Sequence, residues 1–423
     1  MTLAEQTPEL PEHYFRHEFG RLVSVLSRHF GVQHLELCED AAQTALLRAL
    51  ESWSRGNVPE DRGAWLYRVA NNQVLDALRR NRRNEPFAPD LENEVADPAP
   101  ARSDEVQLDS EVKDDLLRLL FICADPSIPA ESQLVLALKT LCGFSTEEIA
   151  LRLFHSQENV HKRLQRARSK LRSQAASWDT PDSASLRERL PSVLQMLYLI
   201  FNEGYSSAQP DCLIRRELCE EAVRLTLLLM GHPSCARPET YALLGLMYLH
   251  AARFEARIDG SGGLLLLEEQ DRTLWDRELI ELGLYYLRRS SGETEISRYH
   301  LEALIAVEHC LAPTYAHTRW REITRLYEAL DRLAPSPLNL LNRAIALAEW
   351  QGPRAGLDLL ESLTPPAWLL SYYLWDATLG ELYRRSGDSE KAIRHLIRAR
   401  DAAPTHAERS LLERRLTACS GEP

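Results

Sequence analysis

The chain reads as an all-α protein, on three observations. Apolar residues recur three and four apart through almost the whole sequence. No convincing series of alternating strands interrupts them, and Gly/Pro turns punctuate the pattern near Pro210, Pro233, Gly260 to Gly263, Pro313, Pro335 and Pro365. At 423 residues and 44% hydrophobic content, the chain is long enough for more than one core, which predicts roughly two or three domains. A net charge of -12 and a pI near 5.6 exclude a protein that coats nucleic acid non-specifically, so any DNA contact must be confined to local patches. The eight cysteines are scattered, with no C-x-x-C pair and no Cys/His cluster at zinc spacing, which predicts reduced, mostly buried thiols in a cytoplasmic protein. The N-terminal MTLAEQTPELPEHYF is acidic and lacks the apolar run of a signal peptide. No apolar stretch approaches the roughly 18 residues that span a bilayer, so no membrane association is expected.

The elements follow in order. A helical block at 13–83 contains Cys38 to Trp53 (CEDAAQTALLRALESW), where Asp40, Gln43, Leu47 and Glu51 share one helical side. It ends in Trp65 to Arg83 (WLYRVANNQVLDALRRNRR), with Leu66, Val69, Val74, Leu75 and Leu78 on its buried side. Arg68, Arg79, Arg80, Arg82 and Arg83 of that helix face a single acid, Asp76. Arginines at a helix end are ordinarily a solvated terminus that favours the dipole. Asn84 to Asp109 is rich in Pro, Ala, Asp and Glu, with almost no aliphatic clustering, and predicts an extended acidic tether.

The next block, 112–173, ends in Ser145 to Arg172 (STEEIALRLFHSQENVHKRLQRARSKLR). Ser145 and Glu148 have capping-box spacing, and Ile149, Ala150 and Leu153 form one apolar face. Phe154 and His155 make a tight break, and Ser156 is a second N-cap. In the helix that follows, Val160, Leu164, Ala167 and Leu171 form a core-facing stripe. Its other faces carry Lys162, Arg163, Arg166, Arg168, Lys170 and Arg172, opposed only by Glu158. Two capped helices joined by a short turn, the second cationic, have the layout of a helix-turn-helix that fills a major groove. Two basic helices on either side of an acidic tether, in an acidic protein, suggest two DNA-contacting modules whose spacing the tether sets.

Beyond a seam at Ser177 to Ser183 lies a long helical region. Its end, from Tyr373, places Leu379, Gly380, Tyr383, Gly387, Ala392, Leu396, Ala399 and Pro404 at tetratricopeptide-repeat spacing. One repeat cannot bury its own face, so neighbours must stack on it. Leu341 to Leu360 and Tyr241 to Tyr248 are degenerate candidates.

Residues 13–173 resemble the minimal two-domain sigma factors of bacterial RNA polymerase, the extracytoplasmic-function (group IV) sigma factors of the sigma-70 family. Cys38 to Trp53 resembles their polymerase-clamp helix, AWLYRVANNQVLDALRRNRR the helix that melts and reads the −10 element, and LCGFSTEEIALRLFHSQENVHKRLQRARSKLR the −35 reader. LPSVLQMLYLIFNEGYSS, LEEQDRTLWDRELI and the terminal repeat resemble the subgroup with a large tetratricopeptide-like C-terminal extension. The resemblance implies a sigma region 2 domain over 13–84, a flexible linker over 85–111, a region 4 helix-turn-helix domain over 112–175 and a helical extension over 186–420. It also implies that the extension governs activity, in place of a separate anti-sigma factor.

From the resemblance, Asp40, Gln43, Leu47 and Glu51 would bind core polymerase. Asn71, Asn72 and Asp76 would lie at the −10 readers, where amide side chains suit the exposed edges of splayed bases. Arg79, Arg80, Arg82 and Arg83 would hold phosphates. Arg55 to Gly63 falls where the family has a base-capturing loop, though with few aromatics. Glu158, Asn159, His161, Lys162, Arg163, Gln165 and Arg166 would form the −35 surface, with bases read from its N-terminal half. Arg166, Arg168, Lys170 and Arg172 would favour phosphate. His161 reads as a surface residue and not as a metal ligand.

The function implied is promoter-directed initiation with core RNA polymerase and promoter DNA as partners, no cofactor and no covalent catalysis. The extension would modulate activity, packing on the sigma domains or taking a peptide or small effector. Two rivals remain open. One is a stand-alone helix-turn-helix regulator with a repeat-based sensor, which would not need the Cys38 to Trp53 helix. The other is an enzyme fused to a sigma-like module, its site near Glu203 and Glu269. Against it, Asn202-Glu203-Gly204-Tyr205 reads as a helix C-cap with Gly204 left-handed, and Asp271 as the N-cap of the helix bearing Leu274, Trp275 and Leu279.

Overall fold

Local capping chemistry sets several of the helix starts. The computed structural model describes residues 12–84, 115–152, 156–173, 183–205, 214–260, 263–292, 296–370 and 372–420. These are helical, with 3-10 turns and one isolated bridge between Ile258 and Leu264. The chain divides into two units, residues 1–199 and 200–423.

In the first unit α1 (Glu12–Phe30), α2 (Leu35–Trp53) and α3 (Arg62–Asn84) pack together. Their buried residues include Phe19, Leu22, Val23 and Leu26 on α1, a small-residue face of Cys38, Ala42, Ala45 and Ala49 on α2, and Leu66, Ala70 and Val74 on α3. Asp61 starts α3 by accepting from the Ala64 amide at 2.8 Å. A helical segment at 115–123 (α4) leads to α5 (Ala130–Thr140), α6 (Thr146–Arg152) and α7 (Gln157–Ser173). The centre of α5, Leu134 to Leu138, is buried, as a helix packed on several sides requires.

The expected capping box is present. The Glu148 amide donates to Ser145 Oγ at 3.1 Å, and the Ser145 amide donates to Glu148 Oε2 at 2.7 Å. Ser156 caps α7 through the Asn159 amide at 3.2 Å. The buried side of α7 is Val160, Leu164, Ala167 and Leu171, the stripe its sequence predicts. Leu153, Phe154 and His155 lie outside the described residues, as do the linker and the seam before Ser183.

Helix α8 (Ser183–Tyr205) runs from the first unit into the second. The second unit continues with α9 (Arg216–Met230), α10 (Pro238–Ala251), α11 (Arg277–Arg289), α12 (Arg298–Leu311), α13 (Trp320–Leu333), α14 (Pro337–Gln351), α15 (Pro353–Glu361), α16 (Ala367–Leu370), α17 (Tyr373–Arg385), α18 (Ser389–Ala402) and α19 (His406–Ser420). Successive helices from α12 to α15 pack on one another, as do α17 to α19, with α17 seated against α14 and α15. A Cβ on Gly380 would stand 2.8 Å from Leu396, and one on Gly356 would stand 2.7 Å from the Ala344 carbonyl. These approaches are closer than real Cβ contacts, so glycine permits both helix pairings.

Two local expectations are corrected. Gly204 is no left-handed cap, because α8 continues through it to Tyr205. A Cβ there would stand 2.7 Å from both the Arg215 carbonyl and Cys219 Sγ, so close packing is what requires the glycine. Asp271 caps only a 3-10 turn, Arg272–Leu274, through the Thr273 amide, while Asp276 caps α11. The extended backbone of Trp275 (ψ 127°) separates the two. Cys38, Cys123, Cys142, Cys219 and Cys235 are buried; Cys212 lies outside the described residues.

Candidate nucleic-acid interface

Because its apolar stripe is buried, α7 has its outer faces fixed. Glu158, Asn159, His161, Lys162, Gln165 and Arg166 are exposed along it, as are Lys170 and Arg172. Glu158 and Lys162 pair at 2.6 Å, one turn apart, which holds both heads on the surface. Arg163 is half-buried, with its guanidinium 2.5 Å from Glu131 of α5. Exposed donors and acceptors on the first two turns of a capped second helix are the equipment for reading base edges.

On α3, Asn72, Asp76, Arg79 and Arg80 are exposed. Arg80 Nε donates to the Asp76 carbonyl at 3.3 Å, and Arg79 lies 3.7 Å from the Asp76 carboxylate. Arg82 and Arg83 stand at the end of the helix, where side chains lie outside the described residues. Asn71 departs from expectation. It is 6% exposed, beside the buried Ala70 and Val74, so in this arrangement it faces the interior and not a DNA strand. The preceding segment Arg55 to Val58 is exposed, with Gly56 at φ +86°. At its base Trp53 and Trp65 lie 5.8 Å apart, and Arg62 sits over the Trp53 ring.

On α2, Asp40, Leu47 and Glu51 are exposed and Gln43 is half-buried. Leu47 is 61% exposed, and Leu50 is exposed beside it. Leu47 and Leu50 thus place two exposed apolar side chains, three residues apart, on an otherwise polar helix side.

The inner side of α2 carries a contact that the sequence does not announce. Glu39 is 1% exposed and Arg168 of α7 reaches it, with the Arg168 side chain only 11% exposed. Arg168 also pairs with Glu36 at 2.9 Å, and the Thr140 hydroxyl donates to Glu39 Oε1 at 2.5 Å. Burial pushes the Glu39 carboxyl above its usual range, against the opposing pull of Arg168, Thr140 and Lys139. Nearby, Arg28 and Asp115 pair at 2.5 Å, and Phe19 packs on Gly143, whose φ is +70°. A Cβ on Gly20 would stand 2.4 Å from the Leu141 carbonyl, so α1 and the end of α5 meet backbone to backbone. Arg168 is therefore corrected: it turns inward to two carboxylates and is not presented to phosphate. Thr140 and Glu39 are 101 residues apart, a pairing that no local periodicity signals.

Of the carboxylates named for an enzymatic rival, Glu269 is exposed and accepts from the Leu266 amide at 2.6 Å, as a turn cap does. Glu203 is half-buried on α8. Among the described residues no group of His, Cys, Asp and Glu could hold a metal ion, and no helix is long and apolar enough to cross a membrane.

Comparison with known proteins agrees with this geometry. The family "Sigma-70 region 2" matches residues 14–84 and "Sigma-70, region 4" matches 126–171, while residues 189–291 match a family of unknown function, DUF6596. An uncharacterized protein, R00370, of Rhizobium meliloti is 36% identical over 411 residues, covering 95% of this chain and 94% of its own. The ECF RNA polymerase sigma factor SigG of Mycobacterium tuberculosis is 28% identical over 173 residues, 36% of this chain and 46% of SigG. No solved structure matches. The chain therefore belongs to one family with the Rhizobium meliloti protein, and it carries sigma-70 regions 2 and 4 ahead of a DUF6596 domain, as a distant homologue of the ECF sigma factors.

Proposed function

We propose that the chain directs promoter-specific initiation by RNA polymerase. In this reading α2 grips the core enzyme through Asp40, Gln43, Leu47 and Glu51. Asn72, Asp76 and the arginines of α3 engage the −10 element, and the outer face of α7 engages the −35 element. The observation that carries the reading is the exposed polar and basic face of α7, held out by a buried stripe and two side-chain caps. The polymerase performs the chemistry, and the chain supplies position and strand opening.

Elements so named lie about 25 base pairs apart, about 85 Å at 3.4 Å per pair. With Arg168 docked on α2, the two readers are held together, so binding both elements requires that contact to part. A chain of the length between Asn84 and Asp115 spans up to about 100 Å when extended, enough for the separation. The helical array of the second unit, with tetratricopeptide-like spacing in α17 and α18, would modulate this opening.

Run-off transcription with core polymerase on a promoter library tests the reading, using the full chain and a chain ending at Asp182. Promoter-directed transcripts from the full chain support it. Failure of core polymerase to retain the chain refutes it and leaves the stand-alone helix-turn-helix regulator. Unchanged transcription from the shortened chain removes the modulating role.

A further inference from the structure

The second unit holds a concentration of half-buried positive charge that neither promoter recognition nor polymerase binding uses. Arg253 and Arg257 follow α10, and Arg272 lies in the 3-10 turn before α11. Among the described residues none of the three pairs with a carboxylate. Arg253 donates to Gln270 Oε1 at 3.3 Å and Arg257 to the Tyr205 carbonyl. Arg272 donates through one nitrogen to the His309 and Ala312 carbonyls, at 2.6 and 2.7 Å.

The remaining donors point to a ligand. Arg253 Nε, Arg272 Nη2 and Trp275 Nε1 are buried and have no hydrogen-bond partner. The guanidinium groups of Arg253 and Arg272 lie 5.1 and 4.5 Å from the centre of the same Trp275 ring, and Trp275 is 4% exposed. Nδ1 of His250 and Nδ1 of His309 are buried and equally without partners. Burial and the neighbouring arginines depress both imidazoles to about 3, so they stay neutral and do not add to the repulsion.

Buried donors in folded proteins are hydrogen-bonded, and like charges drawn partly out of water favour a counter-charge. Stacking on Trp275 stabilises each guanidinium in part, but it satisfies no N–H and brings no negative charge. A water molecule would satisfy a donor and still leave the charge. An oxyanion does both, and guanidinium groups recognise phosphate with paired, charge-assisted hydrogen bonds.

We propose that Arg253, Arg272 and Trp275 form a binding site for the phosphate group of a small ligand, with His250 and His309 at its edge. The site lies within the second unit and stands independently of the roles assigned to α3 and α7.

The probe is inorganic phosphate, titrated into the full chain by calorimetry and by thermal unfolding, against chloride and acetate at matched ionic strength. Saturable binding with a rise in Tm is expected for phosphate, at least tenfold tighter than for chloride or acetate. Trp275→Phe keeps an aromatic ring beside the guanidinium groups and removes the N–H donor, and should weaken binding about fivefold or more. Arg253→Gln should weaken it tenfold or more, while Arg277→Gln, exposed at the start of α11, should leave it unchanged. If circular dichroism shows that Arg253→Gln does not fold, Trp275→Phe and Arg253→Lys decide. Phosphate binding no tighter than chloride overturns the proposal. So does saturable phosphate binding that the Trp275 and Arg253 variants retain, since the anion would then sit elsewhere. Equal binding of acetate overturns the phosphate assignment.

Discussion

Replacing Glu39 with alanine should loosen the contact between regions 2 and 4 more than any surface substitution. The carboxylate is 1% exposed and takes both the Arg168 guanidinium and the Thr140 hydroxyl. Its removal leaves Arg168 enclosed, with only the peripheral Glu36 at 2.9 Å. Breaking a buried pair from one side costs about 3–5 kcal/mol, because the surviving charge stays desolvated. Since Glu36 remains, about 3 kcal/mol is expected, a shift of roughly 150-fold in the closed-to-open ratio. Arg168→Met should cost less, because a neutral side chain fills the space and the remaining Glu39 has a raised affinity for protons. The double variant should lie closer to wild type than the sum of the two, with a coupling of about 2 kcal/mol or more. Amide hydrogen exchange of α2 and α7 in the full chain reads the opening, and urea unfolding reads global stability. Effects of the two substitutions that add to within about 0.5 kcal/mol would refute a coupled buried pair.

Gly20→Ala should raise the intrinsic helicity of α1 by about 1 kcal/mol and still open the same contact, because its Cβ would stand 2.4 Å from the Leu141 carbonyl; faster exchange in 141–144 without loss of helix by circular dichroism is the expected result. Arg166→Ala should weaken DNA binding across sequences and reduce the salt slope by about 1, whereas Gln165→Ala should alter base preference, both measured by binding titration at several salt concentrations. Leu47→Asp should reduce retention on core polymerase at least tenfold with unchanged thermal stability, since Leu47 is exposed; equal retention would remove α2 as the grip. Acidification should destabilise the second unit. His250 and His309 are held neutral, near 3, against 6.5 when unfolded, so the unfolded chain binds more protons between these values. Stability is full above about pH 6.5 and falls as pH drops toward 3, by up to a few kcal/mol per imidazole. A thermal midpoint that is flat from pH 7 to 4.5 in the full chain, or equal pH slopes for it and for His250→Asn, would contradict this.

Much of the first unit was legible because its signals are local. Ser145, Glu148 and Ser156 act within one helical turn, and the stripe of Val160, Leu164, Ala167 and Leu171 needs only the helical period to be seen. Sequence patterning found which faces of α2, α3 and α7 are outward in most positions, since burial follows periodicity. It missed Asn71, which a polar side chain and a family motif placed outside, although it flanks the buried row of Leu66, Ala70 and Val74. It missed Arg168 for a different reason: an arginine on a basic helix looks like its neighbours until a carboxylate from another helix is brought to it. Gly204 and Asp271 show the same limit. Their local preferences admitted a cap at each, and tertiary packing of Cys219 against Gly204 and the extended Trp275 decided otherwise. The arginines around Trp275 were invisible as a cluster, since Arg253 and Arg272 are brought together only by the chain returning after α10.

The placement of Glu36 has a mechanical consequence for α2. At about 100° per residue, Glu36, Asp40, Gln43 and Leu47 fall along one stripe of the helix. Arg168 therefore reaches the stripe one turn before the surface proposed for the polymerase. That surface, from Asp40 to Glu51, runs about 16 Å at 1.5 Å per residue and is left open by the Arg168 contact. A partner landing there has a toehold: it engages Leu47 and Glu51 first, and only its advance toward Glu36 competes with Arg168. On the function proposed above, release of α7 would be an exchange in small steps, beginning at Leu47 and Glu51 and ending at Glu36.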